Sequence, residues 1–344
     1  MCLNPLKGWR VGVNPSGKPA YHITSRHADY IYQVGVTWHE GYIVGAKIPY
    51  GSRVVRDSIT IPCGQCIECR LAYSRDWATR MMLEAQYHES SYFVTLTYDD
   101  EHVPVSYYSD PDGEAVPALT LRKADLSPFI KRLRRRLEYL GRPQIRFYAA
   151  GEYGDTSHRP HYHLIIFGLQ LDDLTQVSRS WRGDKYYTSQ LISECWPYGY
   201  NLVAPVCYET CAYVARYVTK KWTGDYKYFY DAFNIEPEFS QMSRRPGIAW
   251  RYFDEHKDDI YRMDELFLTL SSGGRCLRPP RYFDRLYDID NPDAMAALKE
   301  QRRYKADAAQ ALRSGQTNLS SEEVLQAQAD LYQKRIHMLK REEI

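Results

Sequence analysis

The chain has 344 residues, 44% of them hydrophobic, enough for one large domain or two modest ones. No apolar run reaches the length of a membrane span, and Met1-Cys2-Leu3-Asn4-Pro5 is no signal peptide; a soluble, intracellular protein without membrane partners is expected. The formal net charge of +2 leaves any nucleic-acid affinity to local clusters rather than to the overall field.

Residues 1–60 are rich in Gly, Pro, Tyr and His, with short alternating pieces such as Tyr42 to Ile48. They predict an irregular or β-containing N-terminal arm. Of the eight cysteines, Cys63, Cys66 and Cys69 stand at C-x-x-C-x-x-C spacing, where a helix is expected from about Ile67 to His88. That spacing suits structural Zn²⁺, with Cys2 or a nearby histidine as fourth ligand. Buried free thiols at a helix start are an equal alternative. Tyr92 to Tyr98 is a β-branched and aromatic run that reads as a strand. The prolines, Gly113 and acids of residues 101–119 read as a long surface loop. Lys123 to Leu140 is amphipathic, with Leu126, Phe129, Ile130, Leu133, Leu137 and Leu140 on one face. Lys131, Arg132, Arg134, Arg135 and Arg136 crowd the same helix, as a solvated face or as a track for a nucleic-acid backbone.

The stretch Arg159-Pro160-His161-Tyr162-His163-Leu164-Ile165-Ile166-Phe167-Gly168 organises the rest. As a strand it carries His161 and His163 on one face and Tyr162 on the other. Being apolar on both faces, it belongs at the centre of a sheet. Two imidazoles on one strand face are placed to share a metal ion; taken alone, they are as readily a hydrogen-bonded core pair. Ile145 to Ala150 reads as a preceding strand, and the Gly, Asp, Ser and Pro between the two predict an antiparallel hairpin. Glu152 would then lie near His161, as a third ligand or as a solvated turn residue. Two histidines and a carboxylate leave coordination positions open, which suits a divalent Lewis acid.

Further on, Leu191 to Trp196 suggests a short helix, Gly199 to Val206 a strand and Tyr208 to Trp222 a helix of four turns. The element order predicts an α+β fold, a central mainly antiparallel sheet with helices on one side. The expected divisions are an N-terminal arm (1–60), a central domain carrying the Cys cluster (61–250) and a mostly helical C-terminal extension (251–344). On the helix after residue 207, Cys207, Cys211, Val214, Val218 and Trp222 form an apolar stripe. Tyr213, Tyr217 and Lys220 form another, with Lys221 at its border. Half-exposed packing is the ordinary role of such tyrosines. Beside a metal, however, a phenolate becomes a usable nucleophile, and the lysines could stabilise the oxyanion or the leaving oxygen. Attack would transfer a 5′ phosphate to tyrosine and free a 3′ hydroxyl.

Arg159-Pro160-His161-Tyr162-His163 followed by Tyr213-Val214-Ala215-Arg216-Tyr217-Val218-Thr219-Lys220-Lys221 resembles the HUH endonucleases, and more narrowly the rolling-circle initiators of microviruses of the gokushovirus type. Phe93-Val94-Thr95-Leu96-Thr97 matches that family's first motif, and the gokushovirus likeness extends to Pro62-Cys63-Gly64-Gln65-Cys66 and Met242-Ser243-Arg244-Arg245-Pro246-Gly247. The resemblance covers residues 60–250 and implies an RRM-like sheet and Mg²⁺ or Mn²⁺ held by His161, His163 and Glu152. It also implies nicking of single-stranded viral origin DNA by Tyr213 and Tyr217 in the cytoplasm of a bacterial host, beside the host helicase and polymerase. Two other classes fit parts of the chain. One is a non-catalytic, zinc-stabilised nucleic-acid-binding protein using its aromatics and basic run; the other is a metal nuclease that employs water.

Overall fold

A computed structural model describes residues 2–337 except 16, 18, 44–47, 180–182, 218–227 and 271–272. The chain divides into two compact units, one formed by residues up to 72 together with those from 309, the other by residues 73–308.

The first unit carries six short strands among its described residues: β1 (Leu6–Val13), β2 (Pro19–Thr24), β3 (Tyr30–Val34), β4 (Thr37–Gly41), β5 (Arg53–Val55) and β6 (Ser58–Ile61). They form two three-stranded antiparallel sheets, β2-β1-β6 and β4-β3-β5. The expected piece from Tyr42 to Ile48 falls largely on residues outside those described. Among the described residues Trp9, Ala28 and Ile31 form the buried cluster here, with Val11, Trp38 and Val55 against it. Helix α1 (Ile67–Ala85) begins in this unit and continues into the second.

The second unit continues with β7 (Ser91–Tyr98), β8 (Val105–Ser109), β9 (Ala115–Leu119), α2 (Lys123–Tyr139), β10 (Arg146–Tyr153), β11 (Pro160–Phe167), β12 (Leu174–Arg179), β13 (Lys185–Ser189), α3 (Gln190–Cys195), β14 (Gly199–Pro205), α4 (Tyr208–Tyr217), α5 (Tyr228–Ala232) and β15 (Phe239–Met242). Seven of these strands make one sheet in the order β12-β13-β14-β7-β11-β10-β15, antiparallel at every pairing. The two-histidine strand β11 lies inside it between β7 and β10, as a strand apolar on both faces should.

Helices cover both faces of this sheet rather than the one expected. Val94, Leu96, Leu164 and Ile166 point to the face packed by α2 and α3; Phe93, Ile165 and Phe167 point to the face packed by α1 and α4. All seven are buried, and a sheet apolar on both faces must be covered on both. On α2, Leu126, Phe129, Ile130, Leu133 and Leu137 are buried, each contributing about 1.5–3 kcal/mol of apolar transfer free energy. The basic run of α2 is used mainly for tethering. Arg132 donates to the Cys195 carbonyl at 2.8 Å, Arg134 to the Ile145 carbonyl at 3.3 Å, and Arg136 pairs with Glu194 at 3.4 Å.

The stretch read as a loop, 101–119, instead holds the hairpin β8–β9, turning at Asp110–Gly113. Beyond the sheet come α6 (Trp250–Met263), a second hairpin of β16 (Leu266–Leu270) and β17 (Gly273–Leu277), α7 (Arg281–Asp290) and α8 (Pro292–Ser314). These segments bury Phe253, Ile260, Leu266, Leu268, Phe283 and Met295 together with Leu83 of α1. Helix α9 (Ser321–His337) follows. No helix among the described residues is long and apolar enough to cross a membrane.

Candidate metal centre and tyrosine helix

Hairpin register brings the three candidate ligands together. Glu152 of β10 stands opposite His161 of β11, and Ala150 opposite His163, so the carboxylate and both imidazoles share one sheet face. Glu152 Oε1 lies 2.8 Å from His161 Nε2 and 2.9 Å from His163 Nε2. Glu152 is 2% and His163 1% exposed, whereas His161 is half-buried at the rim. Burial pushes the Glu152 carboxyl up, but hydrogen bonds from both imidazoles and their charge outweigh it and hold it down at about 2, so it is a carboxylate at neutral pH. Gly151 allows this strand to pass close to its neighbours. A Cβ there would lie 2.7 Å from the Phe239 ring of β15.

Outer partners orient both rings. His161 Nδ1 lies 3.0 Å from the Arg159 carbonyl, which can only accept, so Nδ1 carries a proton; a cation would replace the hydrogen bond from Nε2 to Glu152 and take that nitrogen as its ligand atom. His163 Nδ1 lies 2.9 Å from the hydroxyl of Thr95, which stands directly opposite it on β7 and is buried. Sequence reasoning did not single out Thr95, although it lies within the quoted Phe93–Thr97 motif and shares the face of Phe93 and Thr97. Replacing it with Val keeps the shape and removes the oxygen. Metal affinity, read by calorimetric Mn²⁺ titration, should fall about 10–100-fold, the usual scale for losing an outer-sphere partner.

The donor set fits a divalent cation. All three ligand atoms lie within 4.8 Å of one another. Octahedral coordination with bonds of about 2.1 Å needs neighbouring donors about 3.0 Å apart, close to the two separations given above. Two imidazoles and one carboxylate suit a divalent metal whose shell water and phosphate oxygens complete, the carboxylate favouring Mg²⁺ or Mn²⁺ and the imidazoles transition metals.

Tyr162, between the histidines, faces the other way and is fully buried. Its hydroxyl donates to the Arg122 carbonyl at 2.9 Å and lies 2.7 Å from the Tyr98 hydroxyl, which donates to Asp125. Strand β11 is thereby tied to the start of α2. Burial pushes both phenols far above their ordinary range, so neither supplies a phenolate at neutral pH.

Helix α4 lies on the metal-site face. Cys211, Val214 and Ala215 are buried against the sheet, and Ser74 of α1 donates to the Ala212 carbonyl at 2.9 Å. Half-buried Tyr213 is turned toward the ligands. Its ring meets His163 edge-on at a centroid distance of 5.2 Å and Phe93 at 6.0 Å. Tyr217 is the last described residue of the helix, but its side chain lies outside the described part; Lys220 and Lys221 lie outside the described residues altogether. The basic run of α2 covers the opposite sheet face and does not flank this site. Cys63, Cys66 and Cys69 belong to the other unit, where they gather with Cys2.

The segment that builds this site is matched by a known protein family. A family model of replication-associated proteins of the ORF2 type matches residues 91–222, from β7 through α4 and just beyond. The chain is 36% identical over 253 residues to the replication-associated protein ORF2 of Spiroplasma virus 4, covering 72% of this chain and 74% of the relative. It is 30% identical over 260 residues to the replication-associated protein VP4 of Bdellovibrio phage phiMH2K, covering 74% and 76%. A match to the replication-associated protein ORF4 of Chlamydia phage 1 is shorter, 34% over 174 residues. No solved structure matches the chain significantly. The chain belongs to the replication-associated proteins of microviruses, the rolling-circle initiators of these small phages.

Proposed function

We propose that this initiator is an HUH-type endonuclease and strand transferase that opens origin DNA by tyrosine attack, in the cytoplasm of the phage's host. The observation that supports it most is the convergence of Glu152, His161 and His163 on one point with the Tyr213 ring packed against His163. Mg²⁺ or Mn²⁺ held by the three ligands would supply Lewis-acid polarisation of the scissile phosphate. The protein's own groups do the remainder. Glu152 stays ionised, the Arg159 carbonyl and the Thr95 hydroxyl hold the imidazoles in place, and Ser74 secures α4. The Tyr213 oxygen forms a bond to phosphorus as the bond from phosphorus to the 3′ oxygen breaks. The phenol loses its proton and the 3′ oxygen gains one, leaving a 5′-phosphotyrosine and a 3′ hydroxyl from which synthesis can start. Tyr217, one turn along, takes the second cleavage when the origin is regenerated; Lys220 and Lys221 stabilise charge on the phosphate and on the leaving oxygen.

The test is incubation with labelled circular single-stranded DNA carrying the viral origin and Mn²⁺, followed by denaturing electrophoresis. The proposal expects a protease-sensitive covalent adduct that needs the metal. Cleavage without an adduct would assign the chemistry to water, and binding without cleavage would make the protein a non-catalytic binder.

A further inference from the structure

A second cluster of metal-binding groups lies far along the sequence from the tyrosine helix, within the first unit. The Sγ atoms of Cys2, Cys63, Cys66 and Cys69 all lie within 4.8 Å of one another. Cys2 Sγ is 3.5 Å from that of Cys63 and 3.8 Å from that of Cys66. A sulfur–sulfur bond is about 2.05 Å long, so these are not disulfides. A tetrahedral zinc ion with bonds of about 2.3 Å to sulfur places its ligands about 3.8 Å apart, which matches.

The backbone around the sulfurs favours thiolates. The amides of Leu3, Cys63 and Cys66 donate to the sulfurs of Cys66, Cys2 and Cys63 at 3.4, 3.3 and 3.2 Å. Cys66 immediately precedes α1 and Cys69 lies in its first turn, where amide dipoles favour negative charge. Between Cys63 and Cys66 the chain turns through Gly64 at φ 74°, a conformation that suits glycine.

The geometry points to a structural zinc ion held by the thiolates of Cys2, Cys63, Cys66 and Cys69, fastening the N-terminus of the chain to the start of α1. The need for such a fastening is visible in the unit itself. Its six strands lie between the two ends of the cluster, yet their buried apolar side chains, among the described residues, are Trp9, Ala28, Tyr30 and Ile31. A core that small does not normally hold a fold unless a metal or cross-link supplements it. Four soft sulfur donors select zinc or iron–sulfur centres, whereas Glu152 and the two histidines offer harder nitrogen and oxygen donors, so the two sites differ in donor chemistry. This inference does not depend on the nicking reaction.

The test uses the purified full chain from zinc-replete growth, assayed by elemental analysis and by thiol alkylation mapped with mass spectrometry. About one zinc per chain is expected, freed by a thiol-mercurating reagent. Cys2, Cys63, Cys66 and Cys69 should resist alkylation until a chelator is added, while exposed Cys276 reacts at once. Cys2→Ser should weaken zinc binding by more than the roughly 10–100-fold that loss of an outer-sphere partner costs. A His161→Ala/His163→Ala chain should keep its zinc. Wild-type protein without zinc, with iron in its place, or with a Cys2–Cys63 disulfide would overturn the assignment. So would zinc binding left intact in Cys2→Ser. The alkylation pattern of the wild type decides the matter even if that variant fails to fold.

Discussion

His163→Ala is expected to reduce metal-dependent nicking by about 10³-fold or more, because it removes a metal ligand outright whereas outer-sphere losses alone reach about 10²-fold. The same change leaves Glu152, itself 2% exposed, with one imidazole where it had two. Leaving a buried carboxylate short of a hydrogen-bond partner costs about 1–3 kcal/mol or more, so thermal unfolding of the variant must be recorded beside its activity. His161→Ala is the milder companion, since His161 sits at the half-buried rim. It should lose Mn²⁺ binding by titration calorimetry while unfolding closer to the wild type. A folded His161→Ala chain that nicks at the wild-type rate would contradict the metal-centre reading.

The second large effect is that of Tyr213→Phe. Removing the hydroxyl leaves the ring against His163 and Phe93, so the variant should stay folded, as thermal unfolding would show. Single-turnover nicking should fall about 10⁴-fold or more, the scale on which loss of a catalytic nucleophile acts. Tyr217→Phe should instead spare the first nick and block the strand transfer that follows. If the two variants show these defects exchanged, Tyr217 opens the origin and Tyr213 closes the cycle. If Tyr213→Phe nicks normally and still forms the adduct, the packing of Tyr213 on His163 is only structural.

Much of this site was legible because its parts are local. Glu152, His161 and His163 lie on two strands joined by a short turn, and turn chemistry with period-2 alternation is enough to place them opposite one another. The partner of His163 was less accessible. Thr95 is 68 residues away, and nothing local states that β7 pairs with β11 in that register. The fourth cysteine shows the same limit; Cys2 was one of two classes of candidate because 61 residues separate it from Cys63.

Two broader expectations, a loop over 101–119 and helices on one sheet face, failed for physical reasons. The 101–119 stretch looked like a loop because prolines and acids dominate it, and β8–β9 is an exposed hairpin outside the main sheet with little apolar alternation to reveal it. The Asp-Pro-Asp-Gly turn at residues 110–113, with Gly113 at φ 85°, was the signal available. The basic run of α2 reads in sequence as a solvated face or a nucleic-acid track, because charge there carries no direction. Arg132 and Arg134 reach back to backbone carbonyls, and the helix covers the sheet face opposite the histidines. Helices on both faces were also readable in principle, since β7 and β11 are apolar on both sides.

The most direct test of the central claim is to map the covalent bond itself. The protein is trapped with origin DNA and Mn²⁺, digested with nuclease and trypsin, and sequenced by tandem mass spectrometry. The account predicts a nucleotide remnant linked through phosphate to Tyr213 or Tyr217 and absent from a Tyr213→Phe/Tyr217→Phe chain. A remnant on any other residue, or cleaved DNA with no remnant at all, would contradict it.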